Sequence, residues 1–162
     1  NMKKLIYTLL IIIALTNNLF SAGTSSDTSD DSSSYKKAYN LIKAAKKYEK
    51  KGKTDKAQKR YAKAQKLLLK SNKKKPLQAD TLNYLGFTTR KLGDYEKGEE
   101  FYLQGLQIEP NHNGINEYLG ELYVATDRMD MAKERLEVLK DCNCEEFQEL
   151  KNIIEGTKKS KY

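Results

Sequence analysis

The chain is similar to itself at a spacing of 34 residues. The aligned pairs are small, apolar or aromatic: Tyr84 and Tyr118, Leu85 and Leu119, Gly86 and Gly120, Gly98 and Ala132. A second alignment, at a shift of 41 residues, places Gly93 on Gly52 and Tyr102 on Tyr61. The seven additional residues, 72–78, contain Pro76 and predict an insertion between the first two units. A period of this length indicates stacked supersecondary units rather than one continuous thick core.

Each unit has the pattern of two helices. From Ala38 onward, apolar and small residues recur with helical spacing, and glycines interrupt them at intervals that predict short turns. Only 38% of the 162 residues are hydrophobic, whereas 32% are charged. Because such a chain cannot fill a thick core, a thin and locally packed all-α architecture is favoured.

A helix-turn-helix unit of this length, with small residues at three fixed positions, resembles the tetratricopeptide repeat. The second unit carries the fullest set of matching residues: Leu85, Gly86, Gly93, Tyr95, Gly98, Tyr102, Gly105 and Pro110. The resemblance implies a right-handed superhelical solenoid with repeats at 38–71, 79–112 and 113–146, and a cap helix at 147–156. The third repeat departs from the pattern, with Asp127 in place of the turn glycine and Leu139 in place of a small residue.

The first 22 residues have the layout of a secretory signal peptide. Lys3 and Lys4 precede an apolar stretch, 5–15, which is shorter than the roughly 20 residues that span a bilayer as a helix. We expect cleavage near Ala22 and a periplasmic or extracellular protein, with an N-terminal membrane anchor as the alternative. Residues 23–34, rich in Ser, Thr and Asp, are predicted to form a disordered linker before a domain at 35–156, and 157–162 form a basic tail.

The formal charge of +8 is unevenly distributed. Residues 35–76 contain 17 basic side chains against two acidic ones, Glu49 and Asp55, whereas 77–162 contain 11 basic and 17 acidic ones. An anionic-surface patch is predicted on the first hairpin: Lys43, Lys47, Lys56, Lys59, Arg60 and Lys63. An anionic envelope surface is therefore a candidate partner, as is a second copy of the chain. Nucleic acid is not expected, because the aromatic residues are not interleaved with the basic ones for base stacking.

The resemblance also implies a concave groove lined by the first helix of each repeat. The groove residues predicted from the repeat register are Tyr39, Lys46, Lys50, Asn83, Tyr84, Phe87, Arg90, Lys91, Glu117, Tyr118 and Glu121. Aromatic residues in the middle and charges at both ends suit a partner protein or an extended peptide. Alternatively, Tyr84, Phe87 and Tyr118 pack between adjacent repeats. The groove lacks the Lys, Asn and Arg set with which some family members grip a peptide's terminal carboxylate.

The chain has no constellation typical of catalysis, and we expect neither an enzyme nor a cofactor. His112 is the only histidine. In an exported protein, Cys142 and Cys144 are candidates for a disulfide, although a redox or metal-binding role with His112, or free thiols, stay open. The sequence thus predicts an exported scaffold or adaptor that mediates protein–protein or protein–peptide interaction in the bacterial envelope. The alternatives are a redox- or metal-linked assembly factor and a module that binds anionic surfaces.

Overall fold

The computed structural model describes residues 27–159, with side chains from residue 33 onward. The predicted signal peptide at 1–22 and residues 160–162 of the predicted tail lie outside the described residues. Seven helices follow one another in the described part: α1 (Asp27–Glu49), α2 (Thr54–Lys74), α3 (Ala79–Lys91), α4 (Tyr95–Ile108), α5 (Asn113–Ala125), α6 (Met129–Leu139) and α7 (Glu145–Ile154). The predicted all-α fold class is confirmed. Within 27–159, no helix combines the length and the apolar character that crossing a membrane would need.

The helices form three hairpins, α1–α2, α3–α4 and α5–α6, and α7 packs against the last of them. Successive hairpins meet where α2 contacts α3 and where α4 contacts α5, while the first helices, α1, α3 and α5, also touch in sequence. One cluster of buried apolar side chains runs from Ala38 in α1 to Ala132 in α6. This thin continuous core is what the polar composition predicts for a stack of hairpins.

Small residues mark the points where helices approach most closely. A Cβ atom added to Gly86 of α3 would lie 2.5 Å from Cε1 of Tyr102 in α4, so the ring occupies the space that a side chain would need. A Cβ atom on Gly120 of α5 would lie 2.5 Å from Cδ2 of Leu150 in α7. The second contact shows that α7 fills the position beside the last hairpin, as expected for the predicted cap helix.

The turns within the three hairpins share one backbone conformation. Gly52 and Gly93 have φ values of 67° and 98°, and Asp127 has a φ of 58° at the equivalent place in the third hairpin. Aspartate is among the few residues that enter the left-handed region without a large steric cost. The departure of the third repeat from the glycine pattern therefore leaves its turn intact.

Helices α1 and α2 extend beyond the predicted boundaries. Residues 27–34 of the linker predicted at 23–34 lie in α1, where Ser34 is only 3% exposed, and residues 23–26 lie outside the described residues. Tyr35 packs with its ring centroid 6.1 Å from that of Tyr84, so tertiary contacts support the helix before Ala38. The predicted insertion at 72–78 partly lengthens α2, which continues to Lys74.

Candidate partner-binding surfaces

The three hairpins and α7 form one array. The first helices of the hairpins, α1, α3 and α5, share one face of it, here called the inner face, and their side chains fill this face. Nζ of Lys46 lies 4.5 Å from the ring centroid of Phe87 and 5.2 Å from that of Tyr118, and it donates a 2.9 Å hydrogen bond to Oη of Tyr118. The two ring centroids are 4.9 Å apart. Burial raises the pKa of Tyr118, so its hydroxyl stays neutral. The ammonium of α1 is thus held against aromatic rings of α3 and α5.

Arg90 occupies the centre of the same face. One guanidinium nitrogen donates a 2.6 Å hydrogen bond to the carbonyl oxygen of Tyr118, and another lies 3.4 Å from Oε2 of Glu121. The side chains of Arg90 and Glu121 are both fully buried. The guanidinium also lies 5.6 to 5.7 Å from the ring centroids of Phe87, Tyr102 and Tyr118. A buried charge in such a site requires its partner, because neither ion can be solvated by water.

Glu49 links α1 to both neighbouring helices. Its carboxylate accepts a 2.8 Å hydrogen bond from Oη of Tyr61 in α2 and lies 2.6 Å from Nζ of Lys91 in α3. Burial, with a smaller contribution from Glu49, raises the pKa of Tyr61. Glu49, one of the two carboxylates in residues 35–76, is therefore used inside the array and does not neutralise the lysines on the surface of the first hairpin.

These contacts correct part of the predicted groove. Phe87 and Arg90 are each 1% exposed and Glu121 is fully buried, so a peptide on the inner face cannot contact them. They hold α1, α3 and α5 together, which is the packing alternative left open for Phe87. The remaining predicted groove residues fall into three groups: Tyr39 and Lys50 are exposed, Lys46, Tyr84 and Lys91 are half-buried, and Asn83, Glu117 and Tyr118 are buried but line a cavity.

Two adjoining cavities, of about 440 and 240 Å³, share Glu117, Tyr118 and Glu146 in their walls. We call their combined volume the acidic cleft. Its walls come from α3, from the connection between α4 and α5, from α5 and from α7. Six carboxylates line it: Asp80, Glu109, Glu117, Glu145, Glu146 and Glu149. Lys46 of α1 also borders it.

His112 has a defined tautomer at the side of the cleft. Its Nδ1 accepts a 3.2 Å hydrogen bond from the backbone N–H of Ile115 and so carries no proton. Nε2 therefore donates the 3.1 Å hydrogen bond to Oδ1 of Asp80. The ring caps the start of α5 and also orients one carboxylate of the cleft.

Tyr84 provides an aromatic surface beside these carboxylates. Its ring centroid lies 6.1 Å from that of Tyr35 and 5.6 Å from that of Tyr39, and the side chain is half-buried. Burial raises the pKa of Tyr84 to about 12, and the nearby Tyr39 and cleft carboxylates act in the same direction. The phenol is thus neutral near pH 7, and its ring is available for packing.

Part of the predicted lysine patch forms a second surface. A depression of about 380 Å³ on the first hairpin, here called the basic depression, is lined by Tyr48, Lys56, Lys59, Arg60 and Lys63. The guanidinium carbon of Arg60 lies 5.2 Å from the ring centroid of Tyr48, and the hydrogen bond and charge of Arg60 lower the pKa of this tyrosine. The other two predicted patch residues, Lys43 and Lys47, are exposed on α1 but do not line the depression.

Cys142 and Cys144 lie in the connection between α6 and α7. Their sulfur atoms are in contact, and their Cα atoms are 5.2 Å apart. The structure thus places the two cysteines next to each other. A functional role for a disulfide between them stays a prediction. Within residues 27–159, no three His, Cys, Asp or Glu side chains are grouped in a way that could hold a metal ion. The Cys-Cys-His cluster left open by the sequence is therefore not formed, and His112 contacts Asp80 and Ile115 instead.

Most residues of the acidic cleft were not predicted from the sequence. Asp80, Glu109 and His112 lie at helix starts and in a connection, outside the groove positions of the repeat, and Glu146 belongs to the cap helix. Tyr48 of the basic depression was missed in the same way. Carboxylates are frequent after Leu77, but they do not recur at a regular spacing. The sequence therefore does not indicate that they meet at one site.

The comparisons with known proteins concern the repeat and the fold. Residues 79–112 match the family model of the tetratricopeptide repeat. No curated protein matches the chain. The first tetratricopeptide-repeat domain of Spaghetti (RPAP3), solved bound to the HSP90 peptide SRMEEVD, is similar with a TM-score of 0.48 and 21% identity over 76% of this chain and 94% of that one. The first such domain of human RPAP3 has a TM-score of 0.47 and 19% identity over 78% of this chain and 98% of that one.

The family match has the boundaries that the sequence predicts for the second repeat. It contains α3 and α4, whose close contact is made by Gly86 and Tyr102. One of the three hairpins, residues 79–112, is thus matched as a tetratricopeptide repeat.

Proposed function

We propose that the protein is an exported, non-enzymatic adaptor of the bacterial envelope that binds a segment of a partner protein in the acidic cleft. One observation carries this proposal: a cleft stays open beside the inner face although Phe87, Arg90 and Glu121 fill the middle of that face. Export is supported by the signal-peptide layout of residues 2–22.

The composition of the cleft supports a binding role. Tyr84 offers a half-buried ring, and carboxylates surround it, so apolar contact area and oriented polar groups are combined. The walls come from the second hairpin, the third hairpin and α7, and a partner would therefore contact only the assembled array. This is the arrangement expected of a scaffold that presents one preformed surface.

Replacing Tyr84 with a photoreactive phenylalanine analogue tests the adaptor function in intact cells. We expect irradiation to give a covalent adduct with a partner, because the ring lines the cleft. The same analogue in place of Leu103, which is 44% exposed on α4, is the control and should give none. In addition, Tyr84→Ala should weaken capture of that partner about tenfold, the effect of losing one aromatic anchor. Equal adducts at both positions, or none at position 84 in a folded variant, would reject the function.

A second candidate function is binding to an anionic surface through the basic depression. Three lysines and one arginine line this depression, and no carboxylate is among its lining residues. Of the two carboxylates in residues 35–76, Glu49 contacts Lys91 and Tyr61 instead, and Asp55 does not line the depression. Phospholipid headgroups, an anionic cell-wall polymer or an acidic protein would supply the negative charge that the walls of the depression lack.

Exchanging the lysines of the depression for glutamine tests this candidate. We expect the triple variant Lys56→Gln, Lys59→Gln, Lys63→Gln to bind anionic liposomes about a hundredfold more weakly, since each lysine near such a surface contributes about 1 kcal/mol. The matched control is the triple variant Lys66→Gln, Lys73→Gln, Lys75→Gln. It removes the same number of positive charges from other positions on or beside the same helix. Sedimentation with liposomes at low and high salt measures both. Liposome binding that does not depend on salt, or an equal loss of binding in the two variants, would contradict specific binding through the basic depression.

A further inference from the structure

We infer that the occupant of the acidic cleft is a segment bearing lysine or arginine side chains. This inference rests on the proposed adaptor function, because it assigns the chemistry of the partner at the same site. Three carboxylates of the cleft, Glu109, Glu145 and Glu146, form no ion pair with any other residue of the described chain. All three line the two adjoining cavities, so a cation that enters the cleft meets negative charge on its walls.

A buried acceptor atom points to the same chemistry independently of the charges. Asn83 lines the cleft and is only 5% exposed, yet its Oδ1 has no hydrogen-bond partner among the described residues. An enclosed amide oxygen without a donor is costly and uncommon in folded proteins. Because this oxygen is enclosed, an N–H donor of a ligand would satisfy it only after the Asn83 amide turned toward the cleft. Ammonium and guanidinium groups carry three and five such donors, whereas a carboxylate carries none.

The chain itself provides an example of the expected contact. Lys158, beyond the end of α7, places its ammonium against Oε2 of Glu149, a wall residue of the cleft. Lys46 of α1 also borders the cleft, and its ammonium bonds to Tyr118. The walls therefore accept lysine ammonium groups at two places, and a basic segment would bring further ammonium groups to Glu109, Glu145 and Glu146.

The inference is tested with two labelled peptides of equal length and purified full-length protein. One peptide alternates lysine with alanine, and the other has glutamine in place of each lysine. We expect the lysine peptide to bind more tightly by fluorescence anisotropy, with an affinity that falls as salt is added. The variant Glu109→Gln/Glu146→Gln should bind it at least tenfold more weakly. The matched control Glu96→Gln/Glu134→Gln, which removes two carboxylates outside the cleft walls, should not.

Asn83→Leu separates a ligand-binding role from a structural one. Leucine has nearly the shape of asparagine but no acceptor, so the variant should bind the lysine peptide about tenfold more weakly while its thermal midpoint stays the same or rises. A residue retained only for the fold would give the opposite result, a lower midpoint and unchanged binding. This variant also checks that weaker binding does not come from unfolding.

Three results would overturn the inference: equal affinity for the two peptides, no binding of either, or the same loss in the control variant. None of them decides the adaptor function, which is judged by the adduct at position 84. The source of the segment is decided by sedimentation of the protein alone. Self-association at low salt that Glu109→Gln/Glu146→Gln abolishes would identify the segment as the lysine-rich hairpin of a second copy. A monomer at every salt concentration would assign it to a different protein.

Discussion

Replacing Arg90 with leucine should lower the free energy of unfolding by about 3–5 kcal/mol, the usual cost of removing one partner of a buried ion pair. The side chains of Arg90 and Glu121 are both fully buried, and the guanidinium also donates to the carbonyl oxygen of Tyr118. In the variant, the carboxylate of Glu121 would stay buried without this guanidinium. Urea unfolding followed by circular dichroism measures the effect.

Two further variants show whether this cost comes from the buried charge. Arg128→Leu is the matched control: its ion pair with Glu99 is partly exposed, with side-chain exposures of 35% and 20%, and should contribute only about 0–1 kcal/mol. The double variant Arg90→Leu/Glu121→Leu should recover most of the lost stability, because both charges then leave the core together. A double variant no more stable than Arg90→Leu alone would show that packing, rather than charge, accounts for the loss.

The second large effect is expected at the end of the array. Leu150→Ala should lower the free energy of unfolding by about 2–5 kcal/mol, since the leucine is fully buried and its removal leaves a cavity. The side chain lies over Gly120, which has no side chain that could move into the space. Because α7 covers the last hairpin, amide exchange should accelerate in α7 and along the facing side of α5.

Leu103→Ala provides the comparison for this prediction. Leu103 has the same side chain but is 44% exposed on α4, so its truncation should change stability by no more than about 0.5 kcal/mol. If the two variants were equally stable, α7 would not act as a cap. If Leu150→Ala were destabilised without faster exchange in α7, the effect would have to arise elsewhere in the core.

The fold was predictable from the sequence because its determinants are local and periodic. Gly86 and Gly120 recur at the repeat spacing, and a position that must have no Cβ atom is visible as a residue type. The turn at Asp127 shows the limit of such a pattern, since aspartate takes the same left-handed conformation as the glycines it replaces. The helical start at Asp27 was missed because the support comes from Tyr35 and the distant Tyr84.

The site was less predictable because burial depends on distances between helices. Repeat register predicts Phe87 and Arg90 in the groove, but it does not reveal that the helices approach closely enough to cover them. The acidic cleft combines residues from Asp80 to Glu149, which no period relates. That these residues line one cleft is visible only in the three-dimensional structure.

The hydrogen bond between Lys46 and Tyr118 has a consequence for how the protein unfolds. These residues are 72 positions apart and belong to the first and third hairpins. In an ideal one-dimensional array each unit interacts only with its immediate neighbours, and the terminal units can melt separately. Here a next-nearest-neighbour interaction links the two outer hairpins across the middle one. Loss of either end also weakens the other, and this coupling favours a single cooperative transition for all three hairpins.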